Sequence, residues 1–263
     1  MNILKYWYKY TNKKKYTEVK SKEYDDKVRK KSLNRVRFYE NELKDIILHN
    51  SECVKNKKEL NFLHSGHLGD VIYSLPVIKK LAETHQCNLY IQENKPFNQY
   101  YHKHPSGRVF LVPKLVEKIL PLLKEQKFLS KVEKYDKQSI DINLDYYREL
   151  PVDLCFLTMR WYFHLLGIQF DLSDTFLSVE KHPIIRDKIV IVRTFRVRNY
   201  FVDYRFLSKY DNLLFIGLLD EYEDLKKDIP QLEFYDCKDF LEMAQIIKSS
   251  RFFIGNQCSG RGA

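Results

Sequence analysis

From about Lys58 onward, short apolar runs alternate with longer stretches whose apolar residues recur every three or four positions. The short runs predict strands at Leu60–His64, Asn88–Gln92 and Arg108–Val112, and the longer ones predict helices over Asp70–Thr84, Pro113–Gln126 and Pro151–Leu166. Ile140–Leu150 fits neither period cleanly. Gln169–Asp187 is turn-rich, carries Pro183 and reads as a linker. The second half opens on KIVIVR at Lys188–Arg193, whose unbroken β-branched character suits a strand covered on both faces. A helix near Asp203–Lys209, a strand Asn212–Ile216, a helix Asp220–Ile229, a strand Leu232–Tyr235, a helix Asp239–Ser249 and a strand Phe252–Gly255 follow. Alternating β and α elements imply parallel, doubly wound sheets. The expected organisation is an extension over residues 1–57, a first Rossmann-like unit over 58–170, a linker over 171–187 and a second unit over 188–263, with a cleft between the units.

Composition narrows the class. Apolar residues make up 44% of the 263 and aromatics 14%, enough for packed cores and too much for a disordered chain. No apolar run reaches the roughly 18 residues that span a bilayer, and the first residues lack the pattern of a secretory signal. Five scattered cysteines without metal-ligand spacing read as reduced thiols of a cytosolic protein. The net charge of +10 sits mostly at the front: residues 1–60 hold 17 Lys or Arg against 9 Asp or Glu. That extension interleaves lysines with aromatics in KYWYKYTNKKKY. A solvated basic helix is the plain reading. Contact with an anionic membrane at its inner face comes second, and nucleic acid third.

Candidate chemistry gathers where strands are expected to end. After the first strand, HSGHLGD places Gly66, Gly69 and Asp70 in a turn that opens a helix, with His64 and His67 on its flanks. Such a turn offers backbone N–H groups and a carboxylate at the carboxyl edge of a parallel sheet, where α/β proteins bind ligands. Two histidines without further ligands do not make a metal site. In the second half, the turns after three strands carry Thr194, Arg196, Arg198 and Asn199, then Gly217 and Glu221, then Gly255, Asn256, Gln257 and Ser259. Guanidinium groups suit phosphate, and amides with a carboxylate suit hydroxyls, so the set fits a nucleotide diphosphate joined to something polyhydroxylated. Asp145 and Arg148 read as a structural salt bridge, or as acceptor contacts.

GDVIYSLPVIKKL resembles the Gly-Asp-x-x-x-x-x-Pro signature of heptosyltransferase-like glycosyltransferases of GT-B fold. DFLEMAQIIKSSRFFIGNQ and RTFRVRN resemble the donor-side elements of the same group. The resemblance implies a nucleotide-sugar donor held by the second unit, a glycan or lipid-linked acceptor held by the first, and inverting transfer with neither metal nor cofactor. It implies Asp70 as general base on the acceptor hydroxyl, at a helix N-terminus that favours the charged carboxylate. Arginines stand where the family uses lysine. The sequence stops at GNQCSGRGA, directly after a strand. The second unit is therefore expected to be incomplete, and a non-catalytic binding module on a truncated scaffold is the alternative.

Overall fold

The computed structural model describes residues 3–97, 107–152, 158–171, 175–195 and 198–256. The chain begins with helix α1 (Ile3–Thr11), helix α2 (Lys13–Phe38), one π-type turn at Tyr39–Leu43 and helix α3 (Lys44–Asn56). Asn12 caps α2, its side chain accepting the Lys15 N–H. α2 buries none of its residues, whereas Leu43, Asn50 and Cys53 are buried. The Asn50 amide donates to the carbonyl of Leu165 at 3.0 Å. So α3 is part of the first unit, and only the helices before it project.

The first sheet holds β1 (Glu59–His64), β2 (Gln86–Ile91), β3 (Lys131–Lys134) and β4 (Ile142–Asn143), all parallel, in the order β3-β2-β1-β4. Helices α4 (Leu68–Leu81), α5 (Pro113–Lys124) and α6 (Met159–Leu166) complete the unit. Phe62, Val71, Leu75, Leu89, Ile119 and Tyr162 lie in one buried cluster with the inner faces of α3 to α6. Two expectations need correction. Arg108–Val112 is not a strand of this sheet. It makes a single antiparallel bridge, Pro96 to Val109, and sends Phe110 and Leu111 into the interior. The third strand is KVEK at the sheet edge, where half-exposed positions tolerate charge. The helix predicted over Pro151–Leu166 runs only from Met159, and residues 153–157 lie outside the described set. The ambiguous Ile140–Leu150 segment divides into β4 and a 3-10 turn at Leu144–Glu149.

The second sheet repeats the order. β5 (Ile189–Val192), β6 (Leu213–Ile216), β7 (Glu233–Tyr235) and β8 (Phe252–Gly255) are parallel and arranged β7-β6-β5-β8. Helices α7 (Leu219–Lys226) and α8 (Phe240–Ser249) connect them, and the helix predicted near Asp203–Lys209 is a 3-10 turn at Tyr204–Lys209. Along β5 alternate residues enter different cores. Ile191 joins Phe215 and Leu225 on one face, while Val190 joins Leu214 and Ile246 on the other. That is the two-sided burial which its β-branched run implies.

The described part of 169–187 has neither helix nor strand, and it packs on α8: the His182 N–H donates to Ser249 Oγ at 2.7 Å. Phe240 also packs against the first core, so the two units touch. Among the described residues no helix is long and apolar enough to cross a membrane.

Candidate functional site

In each sheet the chain steps outward from a central strand to one side and then crosses back to pair on the other. β1 and β5 are these central strands, and β4 and β8 their returning neighbours. The crevice at the carboxyl ends of such a pair is where doubly wound folds take ligands. Both crevices carry the residues that the sequence singled out.

At the β1/β4 crevice, Asp70 is the third residue of α4 and closes a capping box with His67. Its Oδ2 accepts the His67 N–H at 3.2 Å and Arg148 Nη2 at 2.5 Å. The carboxylate is partly exposed, at 21% of its side-chain surface. Arg148 comes from the turn after β4 and reaches Asp145 as well, Nη1 to Oδ1 at 3.3 Å. Asp145 is buried and also accepts Lys95 Nζ at 2.8 Å, the Ser65 N–H at 3.0 Å and the Ser65 hydroxyl. Burial alone would raise the Asp145 carboxyl. His64, Lys95 and Arg148 outweigh it and hold the group below the usual carboxylate range. Burial likewise works to lower the Arg148 guanidinium, and the Asp70 carboxylate overrides it, so the group is held above its ordinary value. The pair Asp145–Arg148 is thus a salt bridge, set beneath the Gly66–Asp70 turn rather than between the units.

His64 is wholly buried. Its Nδ1 accepts the Gly66 N–H at 2.9 Å, and Nε2 meets the Tyr162 hydroxyl at 2.9 Å. That hydroxyl donates to the Asp70 carbonyl at 3.0 Å, so the consistent tautomer is neutral with the proton on Nε2. Burial pushes the imidazole down to about 4. Every one of these contacts is internal, which makes His64 a support for the turn. His67 packs its ring against Phe97 and Phe110 and places Nδ1 3.2 Å from the Phe110 carbonyl. Gly66 is required sterically: a Cβ there would lie 2.1 Å from Arg148 Nη2 and 2.6 Å from His64 Cε1. Gly69 sits in the first turn of α4.

At the β5/β8 crevice, Asn256 and Thr194 exchange two bonds. The Thr194 N–H donates to Asn256 Oδ1 at 2.9 Å, and Asn256 Nδ2 donates to the Thr194 carbonyl at 2.8 Å. Arg198 pairs with Asp224 at 3.0 Å, and Arg193, buried outright, pairs with the same oxygen at 2.5 Å. Nε and Nη1 of Arg193 are buried without a hydrogen-bond partner. The hydrogen bond from Arg193, against the effect of burial, lowers the Asp224 carboxyl. Glu221 is buried and accepts the Phe195 N–H at 2.9 Å, so it holds the loop after β5, and burial raises its carboxyl. Asn199 closes a turn by accepting the Phe201 N–H at 3.0 Å. Gly217 has φ +149°, which an L side chain rarely adopts, and Gly255 ends β8. Arg196, Gln257 and Ser259 lie outside the described residues.

The sequence reading missed Lys95, Phe110, Tyr147 and Tyr162 around Asp70, and Arg193 and Asp224 in the second crevice. Phe110 lies under the Arg148 guanidinium at 4.5 Å. Only Arg193 left a signal, as a charge closing an apolar strand. A cavity of about 470 Å³ against α6, lined by Arg160, Trp161, Phe163, His164, Ile168 and Phe170, includes no residue of either crevice. Among the described residues no group of three or more His, Cys, Asp or Glu gathers as a metal site would require.

No protein-family model and no curated protein matches the chain. Two solved structures do. A glycosyl transferase of family 9 from Veillonella parvula matches at 12% identity and TM-score 0.46, over 76% of this chain and 75% of that one. The iron-containing dodecameric glycosyltransferase TibC from enterotoxigenic E. coli matches at 13% identity and TM-score 0.41, over 76% of this chain and 53% of that one.

Two outcomes follow from the first crevice. His64 stays neutral in the fold until about pH 4, whereas in the unfolded chain it charges near 6.5. Unfolding takes up a proton between those values, so stability is full above 6.5 and falls toward pH 4 by on the order of 3 kcal/mol. Denaturant midpoints against pH should show this slope, and a His64→Gln variant should flatten it. Parallel curves for the two proteins would contradict the assignment. Gly66→Ala should cost about 1–3 kcal/mol by forcing Arg148 and His64 aside, and an unchanged midpoint would mean that the guanidinium is not packed on this turn.

Proposed function

We propose that the chain is a glycosyltransferase that moves a sugar from a nucleotide-linked donor to a hydroxyl of a glycan or lipid-linked acceptor, with inversion and without a resident metal. The observation that carries this reading is the Asp70 carboxylate. It is partly open at the carboxyl end of β1 and fixed in direction by Arg148 and by the helix it opens. An acceptor hydroxyl above the Gly66–Asp70 turn would give its proton to Asp70 as its oxygen bonds to the anomeric carbon. The bond from that carbon to the diphosphate breaks, and the electron pair leaves with the nucleotide.

The donor side of the proposal is the loop after β5. Arg198 and Asn199, beside the Thr194–Asn256 pair, offer guanidinium and side-chain amide donors to a departing diphosphate, where developing negative charge is best met. Arg198 is already paired with Asp224, so a phosphate would exchange with that carboxylate, while Arg193 keeps Asp224 in place. Exposed Tyr200 and Phe201 next to the loop are suited to stacking on a nucleobase.

A second reading, a non-catalytic module that binds nucleotide or glycan, is favoured by one observation. The two groups that would meet substrate are already paired within the chain, Asp70 with Arg148 and Arg198 with Asp224.

Thermal unfolding with UDP, GDP and ADP, joined to turnover with their sugars, separates the readings. The transferase reading expects at least one nucleotide to raise the midpoint. It also expects Asp70→Asn to keep that rise while lowering turnover on the order of 10²- to 10⁴-fold. A rise without turnover would favour the binding module, and no rise with any nucleotide would remove the donor site.

A further inference from the structure

We infer that the hairpin of α1 and α2 is a docking element for an anionic membrane surface. α1 folds back along α2 about Asn12, held by the Lys5–Glu23 ion pair and by Lys15 over the Tyr8 ring. These contacts use the side of α1 that faces α2. The opposite side presents Leu4, Trp7 and Tyr10, at 61, 59 and 81% exposure, three residues spaced one helical turn apart. Nothing among the described residues covers them. Trp and Tyr are the side chains that settle at the boundary between headgroups and acyl chains.

Charge selects the partner. α2 carries eleven Lys or Arg against four Asp or Glu, and buries none of its residues. Lys13, Lys14 and Lys15 are exposed at the start of α2, directly after the Asn12 turn that ends α1. An aromatic wedge flanked by lysines matches an anionic bilayer, which takes apolar rings and cations at the same surface. A protein partner would be expected to meet an apolar face bordered by a mixed rim, and nucleic acid needs no Leu4.

The far end of α2 is tied to the first crevice. Arg35 Nη2 donates to the Arg148 carbonyl at 2.8 Å, and Phe38 stacks on Tyr146 at 6.4 Å between ring centroids. A 26-residue helix is roughly 39 Å long. Docking through α1 therefore tethers the first unit to the membrane through α2. The docking stands whether or not the chain transfers sugar.

The chain has two tryptophans, Trp7 and Trp161, so full-length protein carrying Trp161→Phe reports on Trp7 alone. Phosphatidylglycerol-containing vesicles with brominated acyl chains should quench its fluorescence, pure phosphatidylcholine vesicles should not, and high salt should reverse the effect. Replacing Lys13, Lys14 and Lys15 by Gln should lower vesicle partitioning on the order of 100-fold. Trp7→Ala/Tyr10→Ala should lower it too, with helix content unchanged by circular dichroism. Binding to anionic vesicles without quenching would overturn the proposal. So would retention on RNA with none on vesicles, or self-association that shields Trp7 while vesicles leave it unquenched.

Discussion

Arg148 is the constraint on which the first unit's chemistry depends. One guanidinium bridges Asp145, buried below the turn, and Asp70, open above it. It can do so because Gly66 leaves room for it and Phe110 supplies a ring beneath it. Removing one partner of such a group would leave a buried charge uncompensated, which typically costs 3–5 kcal/mol. The network is therefore nearly all-or-none: Lys95, Asp145, Arg148 and neutral His64 specify where the Asp70 carboxylate points. Arg35 extends the same network to α2, joining the last turn of the projecting helix to the candidate site.

The two units solve one problem in two ways. After β1, the Ser65 N–H is accepted by Asp145 from the turn after β4. After β5, the Thr194 N–H is accepted by Asn256 from the end of β8. The residue before each of them, His64 and Arg193, is completely buried. The same bond thus pins the same loop across the same crevice, with a carboxylate in one half and an amide in the other. The carboxylate version gathers cations around it and orients Asp70. The neutral version leaves Arg198 to a separate, more exposed partner, as suits a site proposed to admit phosphate.

Much of this was readable from residue order, because burial on both faces demands apolar runs. KIVIVR could be placed as a central strand for that reason, and the Gly-x-x-Gly-Asp turn could be placed at a strand end because only a helix start uses Asp70 so well. The Asp145–Arg148 pair was legible as two opposite charges in an otherwise apolar neighbourhood. Other elements escaped for physical reasons. KVEK pairs at a sheet edge, where the ladder is satisfied by backbone groups and side chains carry little signal. RVFLV looks like a strand, yet Phe110 packs against Arg148 and His67 and Leu111 joins the first core instead of entering the sheet. The burial of His64 was not legible, because a polar residue in a turn gives no sign of it. Its partners Tyr162 and Gly66 stand 98 and 2 positions away. Basic composition also masked α3, whose inner face belongs to the core.

The two crevices are proposed to serve one reaction. A crystal structure of the chain with a bound nucleoside diphosphate tests it most directly. Diphosphate oxygens are expected on the loop after β5, against Arg198 and the Thr194–Asn256 pair, with the terminal phosphate turned toward Asp70. Density for the nucleotide on the first sheet, or on the second with its phosphates turned away from Asp70, would contradict it.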